Sequence, residues 1–299
     1  MATPTPSKEK TELIVGLCTI GVALILLIAL IFGMSRIRLE LGQFTSPSQT
    51  EASRTSPTVI PSEPVETLLA NPYGARDFAY ANGYLTCLSG ESWLGVDVSE
   101  YQGVIDWQTV AAQNVRFAMV RVGARAWGSQ GQILTDSRWE ENLSGAEAAG
   151  LRTGVYFFSQ AITVEEAREE ARFVLDKLDG RQLSMPVVFD WEIAPSADAR
   201  TANMSPELLN SCAIAFCEEI RAAGYVPMVY FNQDLAKRMF DLPLLQAQDY
   251  SFWLAMYAGA LTYPHRVDMW QYTSGGTMPG IEGLVDLNLY FVYDEEKDA

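Results

Sequence analysis

The chain has 299 residues, 48% apolar and 19% charged, with only 22 Gly and 14 Pro, so it can build a sizeable core and is not a wholly disordered, collagen-like or disulfide-framework protein. Its 37 acidic residues outnumber 21 basic ones for a net charge of -16, and residues 1–66 hold 5 basic and 6 acidic residues, so the excess lies beyond them. A body this acidic is a poor partner for duplex nucleic acid, whose phosphates need Lys and Arg, and its one histidine, His265, cannot build a two-His zinc site.

In chain order, residues 1–12 are a short polar segment. Residues 13–34 (LIVGLCTIGVALILLIALIFGM) are 22 residues without a charge. As a helix they span about 33 Å, enough for a hydrocarbon core of roughly 30 Å. The run is longer than the apolar centre of a cleaved signal peptide and is followed by Ser35-Arg36-Ile37-Arg38, which favours an uncleaved transmembrane anchor. Charge does not decide its orientation, since Lys8 and Lys10 precede it and Arg36 and Arg38 follow. Residues 35–66 read as a linker, and 13 of the 24 residues at 43–66 are Ser, Thr or Pro, a composition that stays extended and solvated. Residues 67–93, with Tyr73, Phe78, Tyr80, Tyr84 and Cys87, read as an N-terminal extension packed on the body.

From residue 94 onward, short apolar strands alternate with amphipathic helices. Strands are expected at 94–98, 116–122, 154–159, 185–192, 227–231, 252–256, 267–271 and 284–289. Helices are expected at 106–113, capped by Asp106, and at 137–149, stopped by Gly150. A third starts at Thr163, with Glu166 completing a capping box, and ends near Gly180. A fourth starts at Ser205-Pro206 and ends at Gly224. The alternation implies a parallel sheet, and eight strands imply a closed α/β barrel over 94–292, with an open doubly wound sheet as the alternative. Residues 293–299 are an acidic tail. No Gly-rich phosphate loop or dinucleotide fingerprint is present. Of the four cysteines, Cys18 lies in the apolar run, and Cys212 and Cys217 sit too far apart on one helix to bridge. Cys87 could meet one of these two, leaving one thiol over, but buried free thiols are the favoured expectation.

The sharpest chemical feature is Val187-Val188-Phe189-Asp190-Trp191-Glu192. On a strand, Asp190 and Glu192 share a face, about 6.6 Å apart between Cα atoms, and Trp191 takes the other. Two carboxylates this close raise one another's pKa. A protonated acid beside an ionised one suits protonation of a glycosidic oxygen with stabilisation of the positive charge on the sugar. Asp97 ends the first strand and Asp286 lies in the last, so all four acids are expected at one barrel mouth. Tyr156, Tyr230, Trp253, Tyr257, Trp270 and Tyr272 lie near the same strand ends, where aromatic rings suit the apolar faces of sugars. Alone, Asp97 or Asp286 reads better as a cap or solvated turn, several of the aromatics read as core, and His265, after Pro264, reads as structural or incidental.

Together these residues resemble the lysozymes of glycoside hydrolase family 25 over about residues 94–292. The resemblance rests on Gly95-Val96-Asp97-Val98-Ser99 with Gln102-Gly103 and Ile105-Asp106-Trp107. It continues in Ala149-Gly150-Leu151 before Gly154-Val155-Tyr156, and in Asp190-Trp191-Glu192. It closes with Trp270-Gln271-Tyr272 and Val285-Asp286-Leu287-Asn288. The chain departs from many members in having Arg121 in place of Lys on the second strand and Phe157 in place of His after the third-strand Tyr.

The resemblance implies an irregular barrel of five βα units and three further strands. It implies cleavage of the β-1,4 bond between N-acetylmuramic acid and N-acetylglucosamine in peptidoglycan, without metal or cofactor. By position, Glu192 would be the general acid/base and Asp190 would orient the substrate acetamido group, with Asp97 and Asp286 completing the acidic floor. Tyr156, Tyr230, Trp253, Tyr257 and Gln271 would bind substrate. Such an enzyme needs residues 1–12 in the cytoplasm and its barrel outside the cell membrane, and is expected to be a monomer. Two rival functions are a non-catalytic glycan-binding module and a chitinase-like glycosidase. The acid pair argues against the first. Apolar Val187, Val188 and Phe189 before Asp190, where chitinase-like enzymes carry further aspartates, argue against the second.

Overall fold

The computed structural model describes residues 67–293. The expected leading segment, anchor and linker, and the tail beyond residue 293, lie outside the described residues. Among the described residues no helix is long and apolar enough to cross a membrane.

Eight strands close a barrel: β3 (Glu91–Val98), β4 (Phe117–Arg125), β6 (Arg152–Ser159), β7 (Val187–Trp191), β8 (Pro227–Asn232), β9 (Ser251–Ala255), β10 (Met269–Gly276) and β11 (Val285–Val292). The first seven run parallel, and β11 lies antiparallel between β10 and β3. Outside the barrel, β1 (Phe78–Ala81) and β2 (Tyr84–Cys87) form a hairpin, and β5 (Ile133–Thr135) pairs antiparallel with β4. The closed barrel, not the open sheet, is therefore the fold. The all-parallel expectation fails at β11: the segment 277–284 returns the chain beside β10 in the opposite direction, and side-chain alternation carries no information about strand direction.

The expected helices form close to their predicted limits: α1 (Trp107–Ala111), α2 (Trp139–Ala148), α3 (Val164–Leu178) and α4 (Pro206–Ala222). Asp106, Thr163 and Ser205 cap α1, α3 and α4 by accepting from Thr109 N, Glu166 N and Leu208 N. The Glu166 carboxylate accepts from Ile162 N, one residue before the cap, so the expected reciprocal box is displaced by one position. Two short helices, α5 (Gln233–Arg238) and α6 (Leu242–Gln246), follow β8 and were not expected. The 67–93 extension ends inside β3, which starts three residues earlier than its expected limit. Phe78 from the hairpin packs edge-on against Trp270, with ring centroids 5.2 Å apart. His265 bridges to Ala70. Cys87, Cys212 and Cys217 are buried thiols.

Alternation along the strands separates two cores. Phe117, Met119, Val188, Met228, Tyr230, Trp253 and Met269 fill the barrel, while their sequence neighbours face the helices. Gly95 makes the filling fit, since a Cβ there would sit 2.2 Å from the Phe117 ring. A bulge between Arg121 and Gly123 reverses the alternation in β4. Arg121 faces inward, whereas Arg125 faces the helix layer and reaches Glu170 of α3 at 2.6 Å.

Candidate active site

Three strands deliver the four acids to one end of the barrel. Asp97 lies near the carboxyl end of β3, Asp190 near that of β7, and Glu192 one residue beyond β7. Asp286 lies at the amino end of β11, opposite Asp97 in register. The reversal of β11 is what brings Asp286 to the mouth. The backbone after β7 is held because Gln160 Nε2 donates to Glu192 O at 2.8 Å, while Thr201 Oγ1 donates to Gln160 Oε1 at 2.8 Å.

Asp97 is 5% exposed, and its Oδ2 accepts from Asn288 Nδ2 at 2.7 Å and Gln271 Nε2 at 3.0 Å. Both amides are oriented from behind. Trp253 Nε1 donates to Asn288 Oδ1 at 2.9 Å, and the hydroxyls of Tyr230 and Tyr257 donate to Gln271 Oε1 at 3.3 and 3.2 Å. Burial pushes Asp97 up, and donors from Asn288, Gln271 and Asp286 pull it down. Asp286, lacking amide donors of this kind, is pushed up to about 8 by burial and by the Asp97 charge.

Asp190 is 6% exposed, and no protein group donates to its buried Oδ1. Burial, then the charges of Glu192 and Asp97, hold it well above the ordinary carboxylate range, against the opposing pull of Arg121. Glu192 is raised by burial and by Asp97. Four carboxyls in this setting cannot all ionise near neutrality, so the cluster retains protons.

The cation of the mouth is Arg121, whose guanidinium binds Asp136 Oδ2 at 2.8 Å and Glu100 Oε1 at 3.3 Å and lies 5.0 Å from the Tyr101 ring centroid. Beside it is a cavity of about 520 Å³ lined by Tyr101, Arg121, Trp127, Leu134, Phe158 and Pro195, among others. Tyr101 and Trp127 are exposed there.

Of the expected aromatics, Tyr156, Tyr230 and Trp253 face the barrel interior below the acids, and Tyr257 stands exposed at the mouth. Trp253 is 2% exposed, so its ring supports the site from beneath and is not an open platform for a sugar. Trp270 and Tyr272 flank inward-facing Gln271 and point into the outer core instead. Asn288, Arg121, Glu100 and Asp136 were not selected from the sequence as site residues. Asn288 was accessible to such reasoning, being two residues from Asp286 and hence on the same face of β11. The Arg121 cluster joins segments 15 and 21 residues apart and leaves no local signal.

This arrangement, four acids at the mouth of a closed barrel with one antiparallel strand, coincides with a sequence match. The profile of glycosyl hydrolases family 25 covers residues 96–281 and so includes Asp97, Asp190 and Glu192. The chain belongs to this family. The expected glycoside hydrolase assignment therefore holds.

Relatives agree. The chain is 26% identical over 224 residues to an uncharacterized Escherichia coli protein, YegX, covering 69% of this chain and 72% of the relative. It is 25% identical over 203 residues to an autolytic lysozyme of Clostridium acetobutylicum, covering 65% of this chain and 54% of that one. Its fold matches the modular autolysin LytC of Streptococcus pneumoniae, solved with a synthetic peptidoglycan ligand, with a TM-score of 0.60 at 22% identity. That match covers 72% of this chain, which spans about half (52%) of LytC.

Proposed function

We propose that this family 25 member is a muramidase that cleaves the β-1,4 bond from N-acetylmuramic acid to N-acetylglucosamine in peptidoglycan with retention of configuration. The observation that carries the reading is the Asp190/Glu192 pair on one face at the end of β7, with the buried Asp190 Oδ1 unclaimed by any protein donor.

Glu192, kept protonated by burial, transfers its proton to the glycosidic oxygen as the C1–O bond breaks. The substrate's own acetamido carbonyl oxygen attacks C1 and forms a cyclic oxazolinium. Substrate binding brings the acetamido N–H to the unclaimed Asp190 Oδ1 and favours the Asp190 anion, whose proton passes to water; Asp190 then balances the positive charge of the oxazolinium, with Asp97 as the second anion. Glu192, now a carboxylate, takes a proton from water. That water attacks C1, opens the ring and leaves the sugar with its original configuration. Exposed Tyr101, Trp127 and Tyr257 offer rings for flanking sugars.

NMR of the first product on a chitin-type or wall oligosaccharide tests the mechanism. A β-anomer formed before mutarotation supports retention, and an α-anomer excludes it.

The location is also part of this proposal. The uncharged run at 13–34 is long enough to span a bilayer, which supports an anchor followed by the Ser/Thr/Pro-rich linker, and a wall substrate requires the barrel outside with residues 1–12 inside. Protease added to intact cells should release a body beginning within residues 43–66; complete protection would exclude this orientation. The protein is proposed to act as a monomer, with sedimentation as the check.

A further inference from the structure

We propose that Asp286 is a positioning residue that works as a neutral acid, donating its proton to Asp97 and thereby holding Asp97 as the ionised member of a one-proton pair. This deepens the hydrolase reading by assigning a protonation state and a role to one acid of the same site.

The inference starts from the register. Asp97 of β3 and Asp286 of β11 are direct partners in an antiparallel pair, so their side chains leave the sheet side by side on the inner face. The pairing sets the two carboxyls against each other, and the interaction draws Asp97 down and pushes Asp286 up. Such contact between carboxyls needs a proton between them. Its owner is decided by the remaining donors. Asp97 Oδ2 receives two amide N–H groups, at 2.7 Å from Asn288 and 3.0 Å from Gln271, and these favour the charged form. Trp253 and the Tyr230 and Tyr257 hydroxyls occupy the amide oxygens, so neither amide can turn its oxygen toward Asp97 without losing its own donors. Asp286 has no comparable amide pair. The proton therefore rests on Asp286.

The groups facing Asp286 reinforce this. Asp97 on β3 and Glu192 after β7 raise it, and the Asp286 charge is felt by Asp190 on β7, Tyr156 on β6 and Tyr257 after β9. Arg121 on β4, the nearby cation of the mouth, is already held by Asp136 and Glu100. With its proton, Asp286 is a third donor fixing Asp97. Without it, a second negative charge stands against Asp97 and the contact breaks. Burial and the Asp97 charge push Asp286 up to about 8, so the arrangement holds through neutral pH and fails above it.

Infrared difference spectroscopy of the full-length chain tests this independently of turnover. Subtracting Asp286→Asn from the unmodified protein at neutral pH should leave a protonated-carboxyl carbonyl band that disappears on titration through about pH 8. Asp97→Asn removes the anion and adds an amide donor, and should abolish the band at neutral pH, whereas Glu192→Gln should keep it. No band in the unmodified protein, or a band unaffected by Asp97→Asn, would overturn the proposal. In turnover, Asp286→Asn, whose amide can still donate to Asp97, should exceed Asp286→Ala by about tenfold, the worth of one hydrogen bond to a charged group. Equal rates in the two variants would also overturn it. A protein with the band but no peptidoglycan hydrolysis would leave the pairing intact and reject the muramidase reading instead.

Discussion

Trp253 Nε1 donates to Asn288 Oδ1 at 2.9 Å, and this bond decides which way the Asn288 amide faces. With the oxygen turned to the indole, the Nδ2 group points at Asp97. A ring that is almost wholly buried thus acts on the site through one intermediate side chain. Trp253→Phe keeps the ring packing against Tyr156 and Tyr230 but removes the donor. It should cost about 1–2 kcal/mol in transition-state stabilisation, a roughly five- to thirtyfold fall in kcat/KM. Steady-state kinetics on solubilised peptidoglycan measures this, and an unchanged kcat/KM would mean the amide needs no such support.

Glu192→Gln leaves the shape of the mouth intact and removes the transferable proton. Turnover should drop by about 10²–10⁴-fold while glycan binding is retained. Asp190→Asn should be similarly impaired, because an amide cannot balance the oxazolinium charge. Turnover and calorimetric binding measured on the same preparations separate loss of chemistry from loss of binding. If either variant kept nearly full turnover, the role assigned to that residue would be wrong.

Arg125 is the structural counterpart, turned outward by the bulge in β4. It meets Glu170 at 2.6 Å and the Gly131 carbonyl at 2.7 Å, and Ser159 Oγ donates to the other Glu170 oxygen at 2.6 Å. Arg125→Met strands a buried carboxyl and should cost about 3–5 kcal/mol, or roughly 6–20 °C in Tm. Differential scanning calorimetry reads this directly. A shift of a degree or two would mean that Glu170 is satisfied without the guanidinium.

The acids also fix the sign of the pH dependence of stability. Asp286 is raised to about 8 and Glu170 to about 7, chiefly by burial, so the folded state binds protons that the unfolded chain releases near the ordinary carboxylate range. Their contribution is present at low pH and lost as pH rises toward 8. The protein should melt at a higher temperature at about pH 5.5 than at about pH 8.5, with the difference reduced in Asp286→Asn. A Tm that climbs over that interval would contradict the burial of these groups.

How far the sequence revealed the site depends on the range of the interactions. Asp190 and Glu192 were legible because strand alternation places two residues apart on one face, and the same rule sends Trp191 outward into the outer core. The barrel was legible from eight apolar runs. The direction of β11 was not, because alternation is the same for parallel and antiparallel strands. The β1/β2 hairpin was legible in principle: Asn82-Gly83 sits between two alternating segments, and both residues have positive φ (54° and 88°), as its tight turn requires. Helices α5 and α6, of 6 and 5 residues, are too short for a period of 3.6 to register. The amide clamp on Asp97 combines Gln271 and Asn288, which are 174 and 191 residues away, and only the closed barrel brings them together.

The most direct test of the account is reducing-end analysis of purified peptidoglycan digested by the full-length chain, beside the Glu192→Gln variant. The account predicts new N-acetylmuramic acid reducing ends from the unmodified protein and almost none from the variant. New N-acetylglucosamine ends, equal products from both proteins, or no new ends at all would contradict it.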